Sequence, residues 1–146
     1  MNQKAEKFIK MLEKLQDDNI FEVREAEDNA DHLVLFRSSL EAKKDWFLPM
    51  VVFLDDTIYT IIRVWTMTDA VNDGNRARVR EYLTEMNRRY KVFKYYDTEQ
   101  GDIVLDACLP ASAEGFDPED VAVIIDVVWD HLKATYGDLE NVVKGE

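Results

Sequence analysis

The strongest constraint on the fold is a helix–hairpin–helix pattern across residues 76–136. Its middle contains two short runs, 92–96 and 103–109, that are rich in β-branched and aromatic residues. Between them residues 97–102 have turn composition, and Gly101 can adopt the positive φ that a tight turn requires. On either side, apolar residues recur at intervals of three and four, the period of a helix with one buried face. The pattern predicts two helices packed on an antiparallel hairpin.

The helix after this hairpin has the clearest start signal in the chain. Asp117 precedes Pro118, so the carboxylate can accept from backbone N–H groups while the fixed φ of proline suits the first turn. Phe116 and Val121 are spaced to form a hydrophobic staple. Gly137 is the predicted end, because glycine readily takes the left-handed conformation that terminates helices. The predicted buried stripe consists of Val121, Ile124, Ile125, Val128, Leu132 and Tyr136.

The helix before the hairpin repeats this organisation. Asp73, Gly74 and Asn75 provide a breaker and a cap ahead of it. Its predicted core face consists of Val79, Tyr82, Leu83, Met86 and Tyr90. Both helices therefore have an apolar face for the same hairpin.

The N-terminal part of the chain predicts a further helix and a first hairpin. Residues 3–16 place their apolar side chains on one face of a helix that covers a sheet. Residues 21–26 and 32–40 alternate in polarity and flank the polar turn 28–31. Alternation on both sides of a turn is typical of two antiparallel strands.

Two more strands complete the predicted sheet. Residues 41–46 form a charged loop, after which 48–54 and 58–67 are apolar strands joined by a short acidic turn. Both faces of these strands are largely apolar, so we expect the sheet to be covered on both sides, or on one side with a partner on the other. The predicted class is α+β, a mostly antiparallel sheet with helices packed on it in the order α-β-β-β-β-α-β-β-α. Residues 1–146 are expected to form one domain.

Several positions of the C-terminal half form a pattern of Leu, Asn, Phe and Gly without a catalytic signature. They are the run Tyr82-Leu83-Thr84-Glu85-Met86-Asn87, Phe93, the turn 97–101, Ile103, Leu105, Leu109 and the helix start Asp117-Pro118-Glu119. This pattern resembles the YbjN-type family, whose members are described as putative bacterial sensory transduction regulators. The resemblance implies the fold of the type III secretion chaperones, in a small acidic protein that is often dimeric and binds other proteins. That fold is usually described with three strands before the second helix, whereas four runs are counted here, so either one run is an addition or one is not a strand.

Composition favours a folded cytosolic protein. Hydrophobic residues make up 47% of the chain and charged residues 33%, as in globular domains. The one cysteine, Cys108, excludes an internal disulfide and fits a reducing compartment. The N-terminus alternates charged with apolar residues, unlike a signal peptide, and the apolar runs are too short to span a membrane. We therefore expect a cytoplasmic protein of bacterial type that does not contact a membrane.

The sequence contains no pattern that predicts catalysis, a cofactor or a metal ion. His32 and His131 have no second ligand at helical spacing, and Cys108 has no basic neighbour in its strand to stabilise a thiolate. We expect Cys108 to be buried or half-buried and His131 to lie on the polar side of its helix. The acidic turns 69–75 and 97–102 lack the oxygen-donor spacing of a calcium loop. We expect these residues to be structural and the protein not to be an enzyme.

Charge is unevenly distributed along the chain. The formal net charge is −12, yet residues 76–94 contain seven basic and two acidic residues, a net of +5 that leaves −17 elsewhere. The arginines of this basic segment include Arg76, Arg80, Arg88 and Arg89. At 100° per residue they are spread around the helix, and the rest of the chain repels phosphates, so nucleic acid is not the expected partner. The segment is either a solvent-exposed helix crossed by pairs such as Glu85–Arg89 or a site that docks the acidic surface of a partner.

The last helix has a second apolar stripe away from its predicted core face. This helix stripe consists of Val123, Val127 and Ala134. It lies beside Asp130, at angles where a helix lying singly on a sheet would be charged. Either loops of the same chain clasp it or it packs on a second subunit, and the family resemblance favours a homodimer that Val127→Asp would weaken. Trp65 and Met67 could belong to the same contact.

These observations lead to three functional hypotheses. The first is a non-enzymatic binding module, chaperone-like or regulatory, that holds or senses another protein or peptide through sheet and helix surfaces. The second is a small-ligand or stress-sensing regulator with a pocket between helices and sheet. An enzyme comes third. A binding module should expose an apolar patch, a sensor should have a closed pocket with convergent polar groups, and an enzyme should bring titratable groups together.

Overall fold

The computed structural model describes residues 1–15, 21–27 and 30–146. Within these ranges the elements are α1 (Gln3–Lys14), β1 (Glu22–Glu25), β2 (Val34–Lys43), β3 (Trp46–Leu54), β4 (Tyr59–Met67), α2 (Arg76–Arg89), β5 (Lys94–Asp97), β6 (Ile103–Pro110) and α3 (Pro118–Lys144). The predicted class and element order are confirmed, and all four N-terminal runs are strands. The predicted end of α1 at Gln16 and the first half of the turn 28–31 lie outside the described residues.

The six strands of the described residues form one antiparallel sheet. Their order across the sheet is β1-β2-β3-β4-β6-β5. The first four strands are neighbours in sequence and in space, as expected for a meander of hairpins. Helix α2 then separates β4 from the hairpin of β5 and β6, and β6 pairs with β4. The edges are the two shortest strands, each of four residues, which limits the exposed edge available to other chains.

The helices cover only one face of this sheet. Side chains from all three helices join alternate strand positions in one hydrophobic core. In register across the four long strands, the core row includes Phe36, Val52, Ile62 and Ala107. The adjacent row on the other face includes Arg37, Val51, Arg63 and Asp106. Within the described residues the helices lie on one side of the sheet, so the arrangement with both sides covered by helices is not the one observed.

Helix α3 begins as predicted and ends later than predicted. The carboxylate of Asp117 accepts from the backbone N–H of Glu119 at 3.0 Å, and Pro118 occupies the first turn. The prediction that Gly137 ends the helix is wrong, because α3 continues to Lys144 and Gly145, with φ of 84°, is its C-cap. Leu139 is buried beyond Gly137, and burying such a side chain outweighs the roughly 1 kcal/mol that a glycine costs inside a helix.

The charged loop predicted at residues 41–46 is mostly strand. Strand β2 extends to Lys43 and β3 begins at Trp46, which leaves a two-residue connection in which Asp45 has φ of 59°. Ala42 is buried, and the indole Nε1 of Trp46 donates to the Tyr136 hydroxyl at 3.0 Å. These contacts to the core and to α3 hold the charged run in the sheet.

The turn between β5 and β6 has the predicted conformation. Gly101 has φ of 84°, and its carbonyl oxygen accepts from the backbone N–H groups of Ala70 and Val71. Asn75 occupies the predicted cap position of α2, but its side chain makes no cap bond. Its amide instead donates to the carbonyl oxygens of Ala70, at 2.8 Å, and Val143, at 3.1 Å. Asn75 therefore ties the start of α2 to the end of α3.

Candidate protein-binding surfaces

The helix stripe of α3 is exposed along its length. Val123 is 60% exposed and Val127 44% exposed, and Ala134 is also exposed. Loops of the described residues therefore do not cover this face of α3. Coverage by loops of the same chain was one of the two alternatives predicted for the helix stripe. Contact with a second polypeptide remains a hypothesis for the stripe.

Trp65 and Met67 lie on opposite faces of the sheet. A bulge lies between them, so Trp65 pairs with Val104 whereas Met67 pairs with Ile103. Ile103 belongs to the core beneath the helices, and Met67 packs against that core. Trp65 lies on the opposite side of the sheet, where it is half-buried. A single contact cannot include both Trp65 and the helix stripe, contrary to expectation.

The sheet face without helices, called the bare face below, is largely apolar. Its apolar members are Leu35, Phe47, Pro49, Val51, Phe53, Tyr59, Ile61, Trp65, Tyr96, Val104, Cys108 and Pro110. Phe47 is 56% exposed and Tyr59 is 54% exposed. Val51 and Val104 are buried although they are not part of the core, so their own large neighbours cover them. The sequence signal for this face was the apolar character of both faces of 48–54 and 58–67.

A closed ion pair lies at the centre of the bare face. The guanidinium of Arg63 donates to both carboxylate oxygens of Asp106, at 2.8 and 2.9 Å, and lies 5.2 Å from the ring centroid of Phe53. The Tyr96 hydroxyl donates to the same carboxylate at 3.2 Å. The hydrogen bonds to Asp106 raise the pKa of Arg63 above its ordinary value, and burial raises the pKa of Tyr96. Because the pair is bidentate, it needs no further partner to satisfy its charges.

The arginines of the basic segment are engaged within the chain. Arg76 pairs with Asp73 at 2.6 Å, and Arg80 makes a bidentate contact with Asp97. Glu85 pairs with Arg88, at 3.8 Å, instead of the expected Arg89. The guanidinium of Arg89 lies 5.7 Å from the ring centroid of Tyr90. These contacts favour a solvent-exposed helix crossed by pairs, and docking of an acidic partner on the segment stays a hypothesis.

His131 is not on the polar side of α3, as the sequence suggested, but buried. It is 6% exposed and lies among the rings of Tyr90, Phe93 and Tyr95. Its Nε2 is 2.7 Å from the Tyr95 hydroxyl, while its Nδ1 is buried without a hydrogen-bond partner. Burial lowers the pKa of His131 to about 4, and the nearby charge of Arg89 acts in the same direction. The imidazole is therefore a neutral core residue at physiological pH.

The other titratable candidates lie elsewhere. His32 precedes β2 instead of lying within a strand, is exposed, and has its Nδ1 2.6 Å from the Asp56 carboxylate. Cys108, expected to be buried or half-buried, is exposed on the bare face. The fold thus separates Cys108, His32 and His131 among one sheet face, one loop and the core.

A groove of about 690 Å³ lies between α1, α3 and β2. Its apolar lining includes Phe8, Met11, Leu40, Ile125 and Trp129. Ser38 and Asp126 add polar groups to this lining. The groove lies between helices and sheet, where the second functional hypothesis placed a pocket, but it is open to solvent and is not the closed pocket expected of a sensor.

Comparison with protein-family models identifies the family. The model of YbjN, described as a putative bacterial sensory transduction regulator, matches residues 9–140. The chain belongs to the YbjN family. No curated protein matches the chain. The YbjN match runs from α1 into α3, so it includes every described strand and with them the bare face.

The YbjN description names a regulator and no reaction. Among residues 1–15, 21–27 and 30–146, no group of three or more His, Cys, Asp or Glu residues is arranged to hold a metal ion. In the same ranges, none of the helices has the length and apolar character needed to cross a bilayer. The exposed apolar surfaces described above, the bare face, the helix stripe and the groove, have no assigned partner, and the basic segment stays a hypothesis as well.

Proposed function

We propose that this YbjN protein is a non-enzymatic regulatory module that works as a homodimer and binds another polypeptide in the bacterial cytoplasm. The observation that carries the proposal is that two separate apolar surfaces are exposed, the bare face on one side of the sheet and the helix stripe on the other. Contiguous exposed apolar patches are typical of contacts with other macromolecules. Two surfaces can serve a second copy and a different partner at the same time.

The distribution of reactive groups supports binding over catalysis. Nucleophilic catalysis by a cysteine needs the thiol and a base within hydrogen-bond reach of each other. Cys108 and His131 lie on opposite sides of the sheet, and His32 pairs with Asp56 at a surface loop. An arrangement related to the type III secretion chaperones would use the same exposed surfaces to hold a polypeptide.

A crosslinking experiment tests the binding of a different polypeptide. A photo-crosslinking amino acid at Val123, in the helix stripe, is compared in the source cells with the same residue at Thr84, an exposed position on α2. We expect irradiation to join Val123 to one or a few other proteins, identified by mass spectrometry, that are absent from the Thr84 sample. Identical products at both positions, or no product at Val123, would contradict the proposal.

The groove supports a second candidate function, sensing of a small apolar ligand. Its volume of about 690 Å³ lies within the range of ligand sites, and its walls are mainly apolar. Native mass spectrometry of protein purified from source cells should then show a bound small molecule. Ala122→Trp, which fills the groove from α3, should remove that mass without lowering the midpoint of thermal unfolding. A protein free of bound molecules in both forms would exclude this function under those conditions.

A further inference from the structure

We infer that the bare face is the homodimer interface, where a second copy of the chain packs sheet against sheet. This inference rests on the proposed function, since it assigns one of the two exposed surfaces to the dimer. The helix stripe, which the sequence suggested for the dimer, is then left for a different polypeptide.

The side chains of the bare face differ from those of a solvated sheet. An antiparallel sheet with one face in water alternates apolar residues inside with polar residues outside. In β3 the outward positions are Phe47, Pro49, Val51 and Phe53, with no charge among them. In β4 the outward row contains Ile61 and Trp65 beside a single arginine. These strands have the composition of strands that are covered on both faces.

Charge indicates which partner can cover this face. The chain has a net charge of −12, so two copies repel each other over most orientations. Across its strands the bare face contains four basic and three acidic side chains. They are Arg24, Arg37, Arg63, Lys94, Glu22, Glu41 and Asp106. Lys94, on the edge strand β5, donates its ammonium to the backbone carbonyl oxygens of Asn87 and Tyr90 at the end of α2. The face is therefore close to neutral, and two copies can meet here without bringing their acidic surfaces into contact.

The central ion pair is compatible with burial under a neutral partner. Burying a single charge is strongly unfavourable, whereas a hydrogen-bonded pair loses much less when water is removed. Arg63 and Asp106 are already joined by two hydrogen bonds, and Phe53 and Tyr96 contact them from either side. A partner therefore needs no complementary charge at this position, and a second, nearly neutral sheet face meets that condition.

The size and shape of the bare face also fit a second sheet. The long strands β2, β3, β4 and β6 contain 10, 9, 9 and 8 residues. At the usual spacings they form a surface of about 19 by about 29 Å, and the edge strands add to it, which approaches the roughly 800 Å² per partner of a standard interface. Peptides are usually bound at strand edges or in grooves, whereas two flat apolar sheet faces pack on each other with their strands about 30° apart.

Sedimentation at micromolar concentration tests this inference. Phe47→Glu and Tyr59→Glu each place a carboxylate on the bare face at a side chain that the monomer leaves more than half exposed, so neither should disturb the fold. Each should raise the dissociation constant of the dimer by about tenfold or more, because a carboxylate would be buried at the interface. Val127→Glu, with the same change in charge on the helix stripe, is the matched control and should sediment as the wild-type dimer. The midpoint of thermal unfolding of all three variants, measured at concentrations where each is monomeric, should stay close to that of the wild type.

Cys108 provides a second readout without further mutation. As the one cysteine of the chain and an exposed residue of the bare face, it should react with a maleimide more slowly in the dimer than in Phe47→Glu. The inference would be overturned if Val127→Glu dissociated the dimer while Phe47→Glu and Tyr59→Glu did not. That result would indicate a homodimer formed through α3. A wild-type chain that sediments as a monomer would overturn both this inference and the dimer of the proposed function.

Discussion

At the scale of single residues, the environment of His131 shows how burial changes chemistry. Three aromatic rings surround this imidazole, and the Tyr95 hydroxyl is its close polar contact. Protonation would place a charge in the core with Arg89 nearby, so the pKa of His131 is lowered to about 4. The unfolded chain binds a proton on this residue near pH 6.5. Between these two values the unfolded state binds more protons, and stability must fall as the pH falls.

The difference between the pKa of His131 in the folded and in the unfolded chain predicts that this residue makes stability depend on pH. From about pH 7 to about pH 5, His131 should lower the free energy of unfolding by about 2 kcal/mol. His131→Gln, which can keep a hydrogen bond to Tyr95, should lack this part of the dependence, while His32→Gln, at an exposed histidine, should keep it. Urea unfolding at several pH values measures the effect. Parallel curves for the wild type and His131→Gln would show that the imidazole binds a proton equally well in the folded and the unfolded state.

Gly101 is the residue at which backbone conformation matters most. It has φ of 84°, and a Cβ atom there would lie 2.6 Å from the carbonyl oxygen of Val71. Gly101→Val should therefore lower the free energy of unfolding by about 2 kcal/mol or more, from strain and from movement of the loop before α2. Denaturant midpoints measure this loss. A variant as stable as the parent would mean that the turn between β5 and β6 does not need its left-handed residue.

At the scale of elements, α3 shows how tertiary contacts extend a helix past a local stop signal. Gly137 was placed as the end because glycine is common at that position, but Leu139, Val142 and Val143 contact the core beyond it. The carbonyl oxygens of Val142 and Val143 also accept hydrogen bonds from Arg78 of α2. The last turns are therefore held by α2 and the core, although local sequence favours an earlier end.

The position of Gly137 inside α3 predicts a stabilising substitution. A Cβ added there has open space around it, and alanine is favoured over glycine in a helix interior by roughly 1 kcal/mol. Gly137→Ala should therefore raise the midpoint of thermal unfolding by several degrees, in contrast to the loss expected for Gly101→Val. A lowered midpoint would indicate that the helix is interrupted at this residue in solution.

At the scale of the whole molecule, the acidic net charge and the nearly neutral bare face predict how salt affects association. Two chains of −12 repel each other, and salt screens that repulsion within about 10 Å at 0.1 M. Raising sodium chloride from about 0.02 M to about 0.3 M should therefore strengthen a dimer formed through the bare face. Sedimentation across this range of salt concentration shows whether the dissociation constant of the dimer falls or rises. A dimer weakened by salt would instead indicate that the basic segment 76–94 of one copy docks on the acidic surface of the other.

Much of the fold could be predicted from the sequence, because the signals were local. Asp117 before Pro118 marks a helix start through contacts within two residues, and Gly101 marks a turn through its own φ. Alternating polarity identifies a strand from its immediate neighbours. The element order followed from these signals together. The helix stripe was also visible, because a wheel angle depends only on positions along one helix.

The tertiary structure decided which surfaces are covered. A strand with two apolar faces does not specify which face receives the helices, so the bare face followed only from the packing of all three helices on one side. The separation of Trp65 from Met67 depends on a bulge against β6, and the burial of His131 depends on rings from α2 and β5. The extension of α3 past Gly137 depends on a core assembled by distant parts of the chain. Burial is a property of contacts between residues far apart in sequence, and local pattern does not contain them.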